Sequence, residues 1–276
     1  MAGRICRKGR TMRGDSMGTL AAELGVRAEQ VREVRIPRGG VLLGFRCDPG
    51  ACLDVWRRAR ERYGTTGLWP FITHTSPTEW EWADVSGDSH DEKRRQSIID
   101  RLMELRANEL LAEAEWFKPP QGHPSPALDL EDLARRLTDA SPEAEARAPR
   151  SAESLLSTFF AEPPEWICLV PTEDPPGLPE LLDAPNHTPV PGREALSYRD
   201  HANVLRAWHD RYGAEICYLD THEVLLSVEH PSSAPSETAR VAIEHYAYCP
   251  DLDQVFGGLP EVVLRVPTRT WFFWWD

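Results

Sequence analysis

The apolar positions change period several times along the chain, and each change marks an element. Residues 34–36 and 41–47 read as two strands around the turn Pro37-Arg38-Gly39-Gly40. Cys52, Trp56, Ala59 and Tyr63 then recur at helical spacing, with Gly64 as the expected stop. Residues 67–73 (GLWPFIT) predict a strand, and Pro70, which cannot donate to a ladder, points to an edge or a bend. Ser89-His90-Asp91-Glu92 matches a capping box ahead of a long helix carrying Ile98, Ile99, Leu102, Leu110 and Leu111.

Residues 118–191 hold 15 of the 24 prolines, a density that interrupts helices and strands alike. Short helices are expected at 128–137 and 151–160, and a buried strand at 166–170 (WICLV). Beyond them His201, Val204, Leu205, Trp208 and Tyr212 fall on one helix face, closed by Gly213. Strands at 215–219 and 224–229 follow, with Asp220-Thr221-His222 at the bend. Pro235-Ser236 opens a helix with Ala239, Ala242, Ile243 and Tyr246 inward, ended by Cys249-Pro250. Residues 271–275 carry aromatics on both faces of a strand, which predicts a central position covered on both sides.

Val55, Arg57, Arg62, Tyr63 and Gly64 recur as Val204, Arg206, Arg211, Tyr212 and Gly213. Either one helix-stop solution is used twice, or two similar halves form one pseudo-symmetric sheet. The expected fold is α+β or α/β, with helices packed on one mixed sheet per half or on a single pseudo-duplicated sheet. The expected organisation is a basic, disordered tail at 1–19, an α/β region at 20–117, a proline-rich linker at 118–164 and an α+β domain at 165–276.

Composition narrows the function. A hydrophobic fraction of 41% and a charged fraction of 27% are those of a globular protein, and no apolar run is long enough for a membrane-spanning helix. The net charge is −13, although Arg4, Arg7, Lys8, Arg10 and Arg13 crowd the start of the chain. A body this acidic repels phosphate backbones, so nucleic-acid binding by the folded part is not expected. Six cysteines without a C-x-x-C pair, in a chain with no export signal, read as reduced cytoplasmic thiols rather than a zinc site. Cys47 and Cys52 stand five apart with no matching pair elsewhere. No phosphate-loop, dinucleotide, serine-elbow or zinc-protease motif occurs, and no cofactor is implied.

The candidate chemistry lies near the C-terminus. His209 sits beside Trp208 and faces away from the apolar stripe, where an imidazole is a candidate general base; the plainer reading is a solvated helical histidine with no special role. Cys249, close to His245, Tyr248 and Asp251, is the best-placed thiol nucleophile; the plainer reading is a small apolar residue at a helix end. His222-Glu223 is read as a solvated bend. Asp276 contributes carboxylate acceptors beside Trp274. Ten tryptophans, with Trp80 and Trp82 alternating with acids, fill a core or form a protein-binding patch.

Three segments together resemble a known family. Trp208-His209-Asp210-Arg211-Tyr212-Gly213-Ala214-Glu215, Tyr246-Ala247-Tyr248-Cys249-Pro250-Asp251 and Trp271-Phe272-Phe273-Trp274-Trp275-Asp276 are similar, in order and spacing, to segments of domain of unknown function 4253. Gly67-Leu68-Trp69-Pro70 resembles an upstream part. Pro185-Asn186-His187-Thr188-Pro189 departs from the tryptophan- and cysteine-bearing segment of many members, so a site lined by that segment would be altered here. The resemblance implies a bacterial cytoplasmic α/β protein and no particular activity.

Two functional readings follow. One is a non-catalytic interaction module, immunity-like or regulatory, binding a basic protein partner through Trp208, Tyr248, Trp274 and Asp276. It expects an exposed aromatic patch rimmed by acids. The other is an enzyme or small-ligand binder whose pocket gathers His209, Tyr248, Cys249, Asp251 and Asp276.

Overall fold

The computed structural model describes residues 24–80, 82, 162–185, 196–256 and 258–276. The basic tail, the capping box at Ser89 with its helix, and the helices expected at 128–137 and 151–160 lie outside the described residues.

Among the described residues, seven strands form one mixed sheet: β1 (Arg32–Arg35), β2 (Val41–Arg46), β3 (Leu68–Thr73), β4 (Trp166–Pro171), β5 (Ala214–Leu219), β6 (Glu223–Val228) and β7 (Thr270–Trp274). Their order is β1-β2-β4-β3-β5-β6-β7. Neighbours are antiparallel except β3 and β5, which run parallel at the centre. Since β4 inserts between β2 and β3, the strands on both sides of the proline-rich stretch share this sheet. The described helices are α1 (Cys52–Glu61), α2 (Tyr63–Thr66), α3 (Leu178–Leu182), α4 (Tyr198–Tyr212), α5 (Pro235–Tyr248), α6 (Leu252–Phe256) and α7 (Leu259–Arg265). The fold is α+β.

Alternation along β3 divides the core into two layers. Trp69 and Phe71 join the cluster that receives Val204, Leu205 and Trp208 of α4. Leu68 and Ile72 point the other way, to Val55, Trp56 and Ala59 of α1. Successive strand side chains face opposite sides, so α1 and α4 cover opposite faces. Each feeds the parallel strand that follows it.

The repeated Arg-Tyr-Gly is therefore used in two ways. In α4, Ser197 and Asp200 form a capping box, and Gly213 at φ 61° ends the helix after Tyr212. After α1 the chain makes the extra turn α2 across Tyr63 and Gly64, and Gly67 at φ 68° makes the stop. Gly64 is thus not the cap. At Gly213 a Cβ would lie 2.9 Å from Glu229 Cβ in a left-handed backbone. Gly213→Ala is expected to cost about 1–2 kcal/mol, read as a lower urea midpoint at unchanged slope.

Two positional expectations are corrected. β3 is central despite Pro70. Its β5 side carries one ladder pair, Ile72 with Tyr218, so a missing amide at Pro70 is tolerated there. Side chains supply further bonds: Trp69 Nε1 donates to the Ile216 carbonyl (3.1 Å) and Trp56 Nε1 to that of Pro70 (3.0 Å). β7 is not central but the last strand beside β6. It reads as central because both of its faces are packed. Trp271, Phe273 and Trp275 enter the α4–α5 layer, and Phe272 and Trp274 the opposite one.

Candidate functional site at the carboxyl edge of the sheet

β2, β3, β5 and β7 all end at the same edge, while β4 and β6 begin there. Arg46 pairs with Trp166, Trp166 with Thr73, and Glu223 with Trp274. Ligands of open α/β sheets bind beyond the carboxyl ends of parallel strands, where helices leave for opposite faces. The β3–β5 pair places that point between Thr73 and Asp220.

Asp220 is 4% exposed and saturated with donors. Its Oδ2 accepts from Thr73 Oγ1 (2.7 Å), His74 N (3.0 Å) and Thr75 N (3.1 Å). Its Oδ1 accepts from Thr75 Oγ1 (2.7 Å) and Thr221 N (2.8 Å). Burial alone would raise this carboxyl; the hydroxyl and amide donors outweigh it and hold it below its ordinary value. Asp220 thereby ties the end of β3 to the end of β5. The fold gains this stability at neutral pH and loses it as acid protonates Asp220.

His74 extends the network. Its Nε2 lies 2.6 Å from the Glu162 carbonyl, which only accepts, so the proton is on Nε2. Nδ1 lies 2.8 Å from Tyr218 Oη, whose hydroxyl also reaches Asp220 Oδ2 (3.4 Å). Burial pushes the Tyr218 hydroxyl up and keeps it a donor.

Glu223, the first residue of β6, behaves oppositely to Asp220. Burial, with the Asp220 charge behind it, pushes its carboxyl up to about 7. It is cross-strand to half-buried Trp274, so the two share a face. Exposed Asp276 follows Trp274 by two residues, and its amide donates to Oδ2 of half-buried Asp251 (3.4 Å). Exposed Asp48 and Glu162 lie on the same edge, where Arg46 is engaged by Glu165 at 2.8 Å.

The structure gathers Cys249, Asp251, Trp274 and Asp276 at this edge, but not the remaining candidates. Cys249 is buried and its thiol donates to the Trp274 carbonyl (2.9 Å), an apolar-residue role at a helix end. His209 lies at the opposite edge, its Nδ1 3.2 Å from the carbonyl of Ala214, where β5 begins. Trp208 and Tyr248 are core residues, 0% and 1% exposed. Trp208 stacks on Phe273 and donates to Glu244 Oε2 (2.9 Å), and Tyr248 Oη lies 2.8 Å from His201 Nδ1. Of the described tryptophans, only Trp82 and Trp274 are more than marginally exposed. Trp80 is buried, its indole bonded to the Leu182 carbonyl.

Glu223 escapes sequence reasoning because a Glu after Asp-Thr-His resembles a solvated bend. The available signal is its parity with Leu225, which places it on an inner face. A second polar spot lies under α6 and α7. There a cavity of about 10 Å³ touches His245, Arg265 and Thr270. Among the described residues, His245 Nε2 and Arg265 Nε and Nη1 have no hydrogen-bond partner. The cavity is the size of one water, too small for a substrate. Among the described residues no three His, Cys, Asp or Glu side chains are placed to hold a metal ion, and no helix is long and apolar enough to cross a membrane.

The fold is a mixed sheet with an acidic, aromatic carboxyl edge. Residues 167–276, from β4 through β7, match the model of the family described as domain of unknown function (DUF4253), in agreement with the three resembling segments. Neither curated proteins nor solved structures gave a match.

Proposed function

We propose that the protein is a bacterial cytoplasmic interaction module, immunity-like or regulatory, that takes a basic protein partner at the carboxyl edge of its sheet. The observation that carries this reading is half-buried Trp274, cross-strand to Glu223 and two residues before Asp276, whose amide donates to Asp251. Aromatic anchors rimmed by charge supply most of the energy of protein interfaces. The net charge of −13 steers basic partners toward the protein. Glu223 adds a specific element. A lysine or arginine docking beside it would stabilise its ionised form, so binding would release a proton near neutral pH and tighten as pH rises from 6 to 8.

Capture from bacterial lysate, with wild type compared against Trp274→Ala/Asp276→Asn, tests the proposal. The expected result is a stoichiometric, salt-sensitive basic protein retained by wild type and held at least about tenfold less well by the variant. A partner retained equally by both, or an acidic one, overturns it.

A second reading, a small-ligand site or enzyme, is favoured by one observation. Asp220 and Glu223, three residues apart, have carboxyls pushed in opposite directions, the pattern of an acid–base pair. A metabolite that raises the melting temperature of wild type but not of Glu223→Gln would support this reading.

A further inference from the structure

The walls of the cavity beneath α6 and α7 come from both helices, from α5 and from β7. His245 of α5, Phe256 of α6, Arg265 of α7, and Thr270 and Trp271 of β7 all line it. Apart from His245, Arg265 and Thr270 the lining is apolar or aromatic, and none of it is acidic. His245 is 4% exposed, with the rings of Trp208, Trp271 and Phe273 at 4.9, 4.5 and 5.0 Å between centroids. The Arg265 guanidinium lies over the Phe256 ring, its Cζ 4.0 Å from the centroid. Both side chains bring buried nitrogen atoms that bond to nothing among the described residues: His245 Nε2, and Arg265 Nε and Nη1. A buried donor left unpaired costs its full desolvation penalty, and the penalty is larger where the group is charged.

We propose that this cavity binds a monatomic anion, a halide such as chloride, held between a guanidinium N–H of Arg265 and the Nε2–H of His245. This goes beyond the partner-binding reading and does not depend on it. Size is the first argument. A volume of about 10 Å³ admits one particle of about the size of water and excludes carboxylate, sulfate and phosphate.

Charge is the second argument. Burial pulls both groups down, Arg265 to about 10 and His245 to about 3, so at neutral pH the guanidinium is charged and the imidazole is neutral. Glu261, four residues before Arg265 on α7, supports the guanidinium charge from a distance, and Arg211 adds positive potential at His245. A water would satisfy an N–H of Arg265 but leave its charge without a counter-ion inside the cavity. A halide satisfies the same N–H by a charge-assisted bond and compensates the charge as well. It also accepts from the neutral imidazole, provided that the His245 proton is on Nε2. A filled site therefore ties α7 to α5 beside β7.

Thermal midpoints of the full-length protein in sodium chloride or bromide, against sodium gluconate at the same ionic strength, test the site. Matched ionic strength cancels the screening of the net charge of −13. At ten times its dissociation constant, a bound halide should raise the midpoint by about 3–6 °C over gluconate. The gain should saturate as a single-site curve. Arg265→Gln keeps an uncharged donor and loses the cation, so it should abolish the gain. Crystals of the wild type grown in bromide should show an anomalous peak in the cavity, within hydrogen-bonding reach of Arg265 and His245. Equal midpoints in halide and gluconate, a halide gain that survives in Arg265→Gln, or a water where bromide is expected overturns the inference. The bromide map is read on the wild type, so it decides the question even where Arg265→Gln folds poorly.

Discussion

Trp208→Ala is expected to lower stability by about 4 kcal/mol, at the upper end of what one core substitution removes. The indole is fully buried on α4. It stacks on Phe273 of β7 with centroids 5.2 Å apart, and meets the edges of Tyr248 (5.1 Å), His245 (4.9 Å) and Trp271 (5.7 Å). Removing it empties the contact between α4, α5 and β7 together. It also takes a donor from Glu244, a buried carboxylate otherwise held by Arg211 (3.0 Å) and Arg240 (2.9 Å). The thermal midpoint should fall by about 8 °C or more. Trp208→Phe keeps most of the ring volume and loses only the Glu244 bond, so its loss should be about 1–2 kcal/mol. Equal losses for the two variants would mean that the hydrogen bond, not the packing, holds this layer.

Glu223→Gln is expected to stabilise the protein at pH 8, by about 2 kcal/mol, and to change nothing at pH 4. A carboxyl that titrates near 7 instead of its ordinary 4.5 carries a folded-state ionisation penalty of roughly 3 kcal/mol. Partial contact with solvent reduces it to about 2. The folded-state value is raised, so the folded chain binds the proton more tightly than the unfolded chain. The resulting stability is fully present below pH 4.5 and is lost as pH rises through 7. Glutamine is uncharged at every pH and removes this slope. Urea midpoints of both proteins at pH 4, 6 and 8 test it, and parallel pH profiles would contradict it. A residue that costs the fold this much at neutral pH is a candidate for work outside the fold, because binding sites commonly trade stability for function.

Much of this architecture is legible in the sequence because it is local. The apolar runs at 41–47, 166–170 and 215–219 and the stripe His201-Val204-Leu205-Trp208-Tyr212 become β2, β4, β5 and α4 with little change. The errors have local causes too. Gly64 resembles a cap because Tyr212-Gly213 is one, and the extra turn to Gly67 has no strong signal of its own. Pro70 resembles an edge residue because the sequence does not reveal how short the β3–β5 ladder is. The aromatic run of β7 reads as central because burial on both faces and central position share one pattern.

The site is far less legible. Side-chain chemistry singles out His209 and Cys249, but position decides their roles, and both spend hydrogen bonds on nearby carbonyls. The network around Asp220 joins His74 to a residue 146 positions away, through a strand pairing that no spacing rule contains. Glu223 owes its character to burial beside that same carboxylate.

Hydrogen–deuterium exchange on the captured complex is the direct test of partner binding at the carboxyl edge. Bound partner should slow exchange at the amides of 220–225, 249–251 and 271–276, with the outer face of α4 unchanged. Protection confined to other surfaces, with these three stretches exchanging as in the free protein, would contradict it.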